Sequence, residues 1–234
     1  MTRRAVTAEQ LGGGQADATL FTDTMLPPDQ PFLVGNSWQF VWEPNTAQGN
    51  SGTQMAACFN RVAAGLQVTN ASGGGTVPKG FALPRPLSWL KVQGKNQFAE
   101  YTFISDTSVA GNVTRMGPMV LCNPNQGACY YLDLVVETGP FQLNIERWTL
   151  GAGAVLASAS PNAFAANDVL ALSAEIIAGT VQLRVWRNNV NTFSFLDNGG
   201  SQFTSGMPGF HIDGISAGIN QVFRNFRAGV LGRR

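Results

Sequence analysis

Residues 169–189 decide the fold, and they read Val-Leu-Ala-Leu-Ser-Ala-Glu-Ile-Ile-Ala-Gly-Thr-Val-Gln-Leu-Arg-Val-Trp-Arg-Asn-Asn. Two runs with strand composition flank Ala178-Gly179, and glycine takes the positive φ of a tight turn without steric cost. Arg187-Asn188-Asn189 has the composition of a second turn that leads into a further strand. This stretch therefore predicts consecutive antiparallel strands joined by tight turns.

The same pattern of short apolar runs separated by turn residues extends over most of the chain. Strands are predicted at 37–42, 56–62, 65–69, 87–92, 97–104, 117–122, 128–136, 142–149, 154–158, 169–177, 180–187, 191–196, 208–212 and 220–228. The glycine-rich stretch 70–76 and the proline-rich stretch 78–86 are predicted to form one long loop. No helical pattern longer than about ten residues competes, so the sequence predicts an all-β sandwich or barrel.

Residues 1–20 are predicted to be a flexible N-terminal arm, and residues 21–234 a single β-domain. The arm has no sustained period and contains Gly12-Gly13-Gly14, which is typical of a flexible connector. Its first ten residues include two arginines but no apolar segment, so we expect no secretory signal peptide.

The composition excludes several classes of protein. Only 12% of the residues are charged, and 15 basic residues against 14 acidic ones give a net charge of +1. A nucleic-acid-binding protein needs concentrated positive charge to neutralise phosphates, so we expect no nucleic-acid partner. No apolar run reaches the roughly 18 residues that span a bilayer, so we expect no membrane segment.

Residues suited to catalysis are few. His211 is the only histidine, and because no nucleophile motif surrounds it, we predict that it is a strand-surface residue. Asp133 and Glu137 would point the same way from one strand but lie about 13 Å apart, beyond the roughly 5–10 Å that glycosidases use. We therefore expect no enzymatic activity, no catalytic residue and no cofactor.

Three further features leave alternatives open. Cys122 and Cys129 flank a polar six-residue loop, and they either form a disulfide or stay reduced. The tryptophans either fill the core, which their apolar neighbours favour, or form a sugar-binding platform. They are Trp38, Trp42, Trp89, Trp148 and Trp186. Calcium would need oxygen ligands that converge in space, and the candidates are Asp23, Asp106, Asp197, Asn198 and Asp213.

Segments of the chain resemble, in order, the concanavalin A-like, laminin-G-type jelly rolls. Phe21-Thr-Asp-Thr-Met, Gly35-Asn-Ser-Trp38 and Gly65-Leu-Gln-Val-Thr69 are similar to the family's opening strands. Further similar segments are Tyr131-Leu-Asp-Leu, Leu143-Asn-Ile-Glu-Arg147, the hairpin at 178–188, the turn at 197–210 and Phe223-Arg-Asn-Phe226. The resemblance covers about residues 21–230 and implies a jelly-roll β-sandwich of two antiparallel sheets.

Two departures from the family pattern bear on function. Arg224 and Asn225 stand where the closing strand of the family usually carries acids, and the Glu-x-Asp-x-x-Glu signature of its glycosidases is absent. The resemblance therefore implies the fold and contact with glycans, without hydrolysis. Fold likeness by itself does not settle function.

Jelly rolls of this kind occur as structural parts of bacteriophage and virus particles. Together with the low charge and the flexible arm, this leads us to expect a non-enzymatic virion protein: a capsid decoration or head-fibre subunit, or a tail component. Its partners would be other virion proteins, bound through the arm, and glycans; it would form homo-oligomers and be located in the virion. The alternative is a free carbohydrate-binding module or lectin, and the sequence assigns no binding residue for either.

Overall fold

The computed structural model describes residues 18–23, 25, 38–42, 59–69, 80–84, 92, 96–106, 114–135, 142–149, 152–160, 164–215 and 220–231. The strands in these ranges are β1 (Ala18–Asp23), β2 (Trp38–Trp42), β3 (Phe59–Val62), β4 (Gly65–Thr69), β5 (Gly80–Pro84), β6 (Gln97–Asp106), β7 (Thr114–Asn123), β8 (Ala128–Val135), β9 (Gln142–Thr149), β10 (Ala152–Ala159), β11 (Val169–Ile177), β12 (Thr180–Arg187), β13 (Val190–Asp197), β14 (Met207–Ile215) and β15 (Asn220–Val230). A single turn of 3₁₀ helix at Pro124–Gln126 connects β7 to β8. In the described part of the chain, no helix has the length and apolar character needed to cross a bilayer.

The described strands form two sheets, and every pairing among them is antiparallel. Sheet I has the order β13-β12-β11-β6-β15-β4-β3, and β1 also pairs with the second half of β15. Sheet II has the order β10-β9-β8-β7-β14-β5-β2. The prediction of an all-β sandwich of two antiparallel sheets is confirmed.

The stretch 169–189 folds as predicted. Ala178 and Gly179 both have positive φ, 49° and 84°, which is the type I′ geometry that matches the twist of two antiparallel strands. Asn188 and Asn189 repeat this geometry, with φ of 52° and 69°. β11, β12 and β13 therefore follow one another in sheet I as a meander.

Three sequence predictions are corrected by the structure. β1 begins at Ala18, inside the predicted arm, because its residues pair with β15 far along the chain; the rest of the arm lies outside the described residues. β5 lies inside the predicted loop at 78–86, where Phe81 pairs with His211 of β14. Val92 ends the predicted strand at 87–92 but is helical, and the other residues of that strand are not among those described.

Aromatic side chains fill the space between the sheets. Phe210 of sheet II packs edge-on against Tyr101 and Phe223 of sheet I, with ring centroids 5.9 and 6.1 Å apart. Trp38 of sheet II contacts Phe226 of sheet I, with centroids 4.9 Å apart. These contacts identify the inner face of sheet II, and its other face therefore points away from sheet I.

A bulge in β15 explains how residues three apart both reach this core. Phe223 and Phe226 would point to opposite faces of a regular strand. Asn225 has a φ of 53°, and the pairing of β15 with β6 shifts between Arg224 and Arg227. The extra residue restores the inward direction at Phe226, so the residues that depart from the family pattern at this strand lie in the bulge itself.

The opening motifs of the chain meet in one buried network. Asp23 accepts hydrogen bonds from both terminal nitrogens of Arg61, at 2.8 and 2.6 Å, from Trp38 Nε1 at 2.6 Å and from the backbone of Met25. Burial alone would raise the pKa of Asp23, but the hydrogen bonds from Arg61 and Trp38 outweigh it and hold that pKa below its usual value. This network ties β1 and β3 of sheet I to β2 of sheet II.

Candidate functional site

The face of sheet II that points away from sheet I carries a compact group of aromatic and polar side chains. Neighbours along a strand point to opposite faces, so His211 and Tyr131 lie opposite Phe210 and Tyr130, which face sheet I. We call this group the outer-face cluster. Its members are Phe81 of β5, Tyr131 of β8, Asn144, Glu146 and Trp148 of β9, and His211 of β14.

Three aromatic rings of the outer-face cluster pack around the imidazole of His211. Its ring centroid lies 4.1 Å from that of Tyr131, 5.1 Å from Trp148 and 5.3 Å from Phe81. All four side chains are almost completely buried. The prediction that His211 is a strand-surface residue is therefore wrong, because alternation assigns a residue to a face but does not show whether that face is exposed.

The polar members of the cluster lie beside these rings on β9. Tyr131 Oη donates a hydrogen bond of 2.7 Å to Glu146 Oε2. Asn144 is 94% buried, since its exposed fraction is 6%, and within the described part of the chain its Oδ1 accepts no hydrogen bond. An unsatisfied buried acceptor of this kind costs about 1–3 kcal/mol, which a hydroxyl donor bound there would recover.

Gly153 of the neighbouring strand lets the side chains of Glu146 and Trp148 pack closely against its backbone. It pairs with Trp148, and a Cβ at this position would lie 2.5 Å from Glu146 Oε2 and 2.9 Å from Trp148 Cε3. A side chain at position 153 would therefore require the Glu146 carboxylate or the Trp148 ring to move.

This combination of groups suits a sugar. Aromatic rings offer apolar faces, and a small number of placed polar groups then fix the orientation of a ligand. The Glu146 carboxylate and the Asn144 amide oxygen both accept hydrogen bonds, which the hydroxyl groups of a sugar can donate. The sequence analysis named Trp148 and His211 but did not single out Tyr131, Asn144 or Glu146 as a site.

The register of the sheet also brings two acidic positions near each other. Asp133 pairs with Asn144, and Tyr131 pairs with Glu146, so Asp133 and Glu146 occupy diagonal positions on adjacent strands, about 7–8 Å apart. A search for acid pairs within one strand missed this proximity, because it arises only from the pairing of β8 with β9. Glu137, the partner considered from sequence, lies outside the described residues.

The other candidate residues are placed as follows. Cys122 and Cys129 are buried thiols that form no disulfide. Trp38 fills the inter-sheet core, as predicted, whereas Trp186 is half-buried on the outer face of sheet I and donates to Ser173 Oγ at 3.0 Å. The side chains of Trp42 and Trp89 lie outside the described part of the structure.

Two of the candidate calcium ligands are engaged elsewhere. Asp23 pairs with Arg61, and Asp197 accepts hydrogen bonds from Tyr130 Oη at 2.6 Å and from Arg147 at 3.1 Å. Burial and the hydrogen bond to Asp197 raise the pKa of Tyr130. Among the residues whose side chains are described, no three acidic, histidine or cysteine side chains approach closely enough to hold a metal ion; the side chains of Asp106 and Asp213 are not described.

Comparison with known proteins identifies the fold. No protein-family model matches the chain, and no curated protein is significantly similar to it in sequence. Many solved structures are similar in fold, among them the following three. An endo-1,3-β-glucanase from Streptomyces sioyaensis has a TM-score of 0.59 and 12% identity, over 92% of this chain and 97% of that one.

The second is a Bacillus subtilis protein described as having a galectin-like fold, with a TM-score of 0.57 and 11% identity over 93% of this chain and 98% of that one. The third is a carbohydrate-binding module from Bacillus subtilis, with a TM-score of 0.51 and 14% identity over 82% and 95%. The chain therefore has the lectin-like jelly-roll fold, which occurs in carbohydrate-binding modules and in glycosidases alike. The predicted fold is confirmed.

Proposed function

We propose that this chain is a non-enzymatic carbohydrate-binding domain that binds glycans through the outer-face cluster of sheet II. The observation that carries the proposal is the grouping of Trp148, Tyr131 and His211 with the Glu146 carboxylate and the open acceptor of Asn144. These side chains are buried, so binding requires the cluster to open, and its aromatic faces and acceptors then match the alternating C–H faces and hydroxyl groups of a sugar ring.

The contacts of Glu146 support binding over hydrolysis. A catalytic acid in a glycosidase works with a second carboxylate across the scissile bond, whereas the contact that Glu146 makes is a hydrogen bond accepted from the Tyr131 hydroxyl. Asp133, on the adjacent strand, is the residue that would have to supply the second group. Incubation with a panel of β-glucans and assay for reducing ends tests this point, and we expect no release; release that Glu146→Gln abolishes would establish an enzyme.

Glycan binding is tested by screening the full chain on a glycan microarray and titrating each positive glycan by calorimetry. We expect Glu146→Gln to weaken binding roughly 10- to 150-fold, because a hydrogen bond to a charged group contributes about 1.5–3 kcal/mol. The matched control is Glu175→Gln, a buried glutamate that pairs with Arg184 on the outer face of sheet I, and it should bind as the wild type does. Absence of binding to every glycan, or equal affinity of Glu146→Gln and wild type, would overturn the proposal.

We also propose the role expected from the sequence, that of a virion structural subunit held by its N-terminal arm to other virion proteins. The triple glycine at 12–14 and the low charge of the chain support this role. Deletion of residues 1–17, which precede β1, should leave a folded β-domain by circular dichroism but prevent its incorporation into particles. Full incorporation of the truncated chain, or its absence from purified particles in the wild type, would contradict this role.

A further inference from the structure

The loop that follows β13 contains the only Asn-Gly dipeptide of the chain, at Asn198-Gly199. β13 ends at Asp197, and the next three residues are all exposed and lie outside the strands. Gly200 has a φ of 78°, a conformation that glycine adopts without steric cost. The side chain of Asn198 is therefore presented to solvent on a short glycine-rich segment.

The backbone nitrogen of Gly199 has room to approach the side-chain amide of Asn198. A Cβ built at Gly199 would have, apart from its chain neighbours, one atom within 4 Å, which is Asp197 Oδ1 at 3.7 Å. In the described part of the chain, the N–H of Gly199 donates one hydrogen bond, of 3.4 Å, to the same oxygen. That distance is longer than the roughly 2.7–3.2 Å of a typical N–H···O bond, so this N–H is weakly held.

A second exposed asparagine shows what prevents the same approach. Asn188 is also exposed, but its Nδ2 donates a hydrogen bond to Asp168 Oδ1 at 2.6 Å. Its Oδ1 accepts a hydrogen bond from the backbone N–H of Val169 at 2.9 Å. The amide of Asn188 is therefore fixed by both of its polar atoms and cannot turn toward the nitrogen of Asn189. Exposure alone does not make an asparagine of this fold free to react.

We propose that Asn198 is a site of spontaneous covalent modification, at which the backbone nitrogen of Gly199 attacks Cγ of Asn198. A bond forms between this nitrogen and Cγ, the bond between Cγ and Nδ2 breaks, and ammonia leaves with the proton of the former peptide N–H. The product is a succinimide ring, which water then opens. Hydrolysis at Cγ gives aspartate at position 198, and hydrolysis at the main-chain carbonyl gives isoaspartate, in which the backbone runs through the former side chain. Water is the only co-reactant.

Both products carry a carboxylate in place of a neutral amide, and this changes the charge balance of the whole chain. The 15 basic and 14 acidic residues give a formal net charge of +1, and one further acid makes the two sets equal. A protein without net charge associates and precipitates more readily, so we expect the modified chain to be less soluble near neutral pH. This inference does not depend on glycan binding, because Asn198 is not part of the outer-face cluster.

The test is to incubate the folded full chain at neutral and mildly alkaline pH and to follow its asparagines by peptide mass spectrometry. We expect Asn198 to be converted to aspartate and isoaspartate about tenfold or more faster than Asn188, because only Asn198 can bring its amide to the next nitrogen. The rate should rise in proportion to the hydroxide concentration, since the attacking nitrogen must lose its proton. Isoelectric focusing should show a more acidic form that migrates with the variant Asn198→Asp and accumulates at the same rate.

The matched control is Gly199→Ala. The φ of Gly199 is not in the positive range, and its Cβ would be in ordinary contact with Asp197 Oδ1, so this variant should fold as the wild type does by circular dichroism. It should react about tenfold or more slowly, because the added methyl group hinders the approach of the nitrogen to Cγ. Asn198→Gln, whose longer side chain would have to close a larger ring, is a second variant and should show no acidic form. Conversion of Asn198 no faster than that of Asn188, or an unchanged rate in Gly199→Ala, would overturn the proposal.

Discussion

The buried network around Asp23 makes a quantitative prediction about stability. The substitution Asp23→Asn keeps the shape of the side chain but removes its charge, and it leaves one oxygen where two now accept from Arg61. The amide nitrogen would then face donor groups, either of Arg61 or of Trp38. Arg61 would also lose the charge of this carboxylate while its side chain is only 2% exposed.

The size of the effect follows from these contacts. Breaking a buried ion pair by removing one partner costs about 3–5 kcal/mol, a large part of the roughly 5–15 kcal/mol that stabilises a typical domain. For a chain of this length each 1 kcal/mol lowers Tm by about 2–4 °C, so we expect Tm to fall by roughly 6–20 °C. Urea unfolding followed by tryptophan fluorescence gives the change in the free energy of unfolding directly.

The pH dependence of the same variant provides an internal check. The pKa of Asp23 is lowered in the folded chain from 3.8, so the folded state favours the ionised carboxylate. Its contribution is fully present above the unfolded pKa and is lost as pH falls through the folded pKa. The difference in stability between wild type and Asp23→Asn should therefore be constant near neutral pH and shrink in acid. A loss below about 1 kcal/mol, or a difference that grows in acid, would refute this reasoning.

Three further predictions concern other parts of the molecule. Gly206→Ala should destabilise the fold severely, because its Cβ would lie 2.1 Å from the Leu121 carbonyl carbon. Gly200 has a φ of 78° but no atom near its Cβ position, so Gly200→Ala should cost only about 1 kcal/mol. Equal unfolding midpoints of the two variants would contradict this prediction. Cys122 and Cys129 should react with iodoacetamide only after unfolding, as mass spectrometry of labelled peptides can show, and rapid labelling of the native chain would disprove their burial. Burial raises the pKa of Glu100 above 4.5 against the opposing effect of Arg227, so its contribution to stability is largest below pH 4.5 and falls as pH rises. In urea titrations, the wild type should lose stability relative to Glu100→Gln as pH rises from 4.5 through the pKa of Glu100 in the folded chain. Parallel pH profiles of the two proteins would contradict this prediction.

The sequence predicts those parts of the fold that depend on local chemistry. The turns at Ala178-Gly179 and Asn188-Asn189 are encoded by residues that accept positive φ, so the meander of β11, β12 and β13 could be predicted. β1 could not, because Phe21 is paired with Ala228, about two hundred residues away in sequence. Pairing over that distance is a tertiary interaction that outweighs the glycine-rich context just before the strand.

The candidate site could not be predicted from the sequence for a similar reason. Tyr131, Glu146 and His211 lie on three different strands, and only the register of sheet II brings them together. Alternation along β9 does predict that Asn144, Glu146 and Trp148 share a face. It does not predict that this face is buried or that Asp133 lies diagonally across from Glu146.

A matched pair of tryptophans tests most directly whether glycans bind to the outer face of sheet II. Trp148 belongs to the outer-face cluster, and Trp186 lies on the outer face of sheet I. Each is replaced by phenylalanine, and a glycan that binds the wild type is titrated calorimetrically into both variants. We predict that Trp148→Phe weakens binding about tenfold or more, corresponding to about 1.4 kcal/mol, and that Trp186→Phe binds as the wild type does. Loss of binding in Trp186→Phe with unchanged binding in Trp148→Phe would contradict the account, because the glycan site would then lie on the opposite sheet.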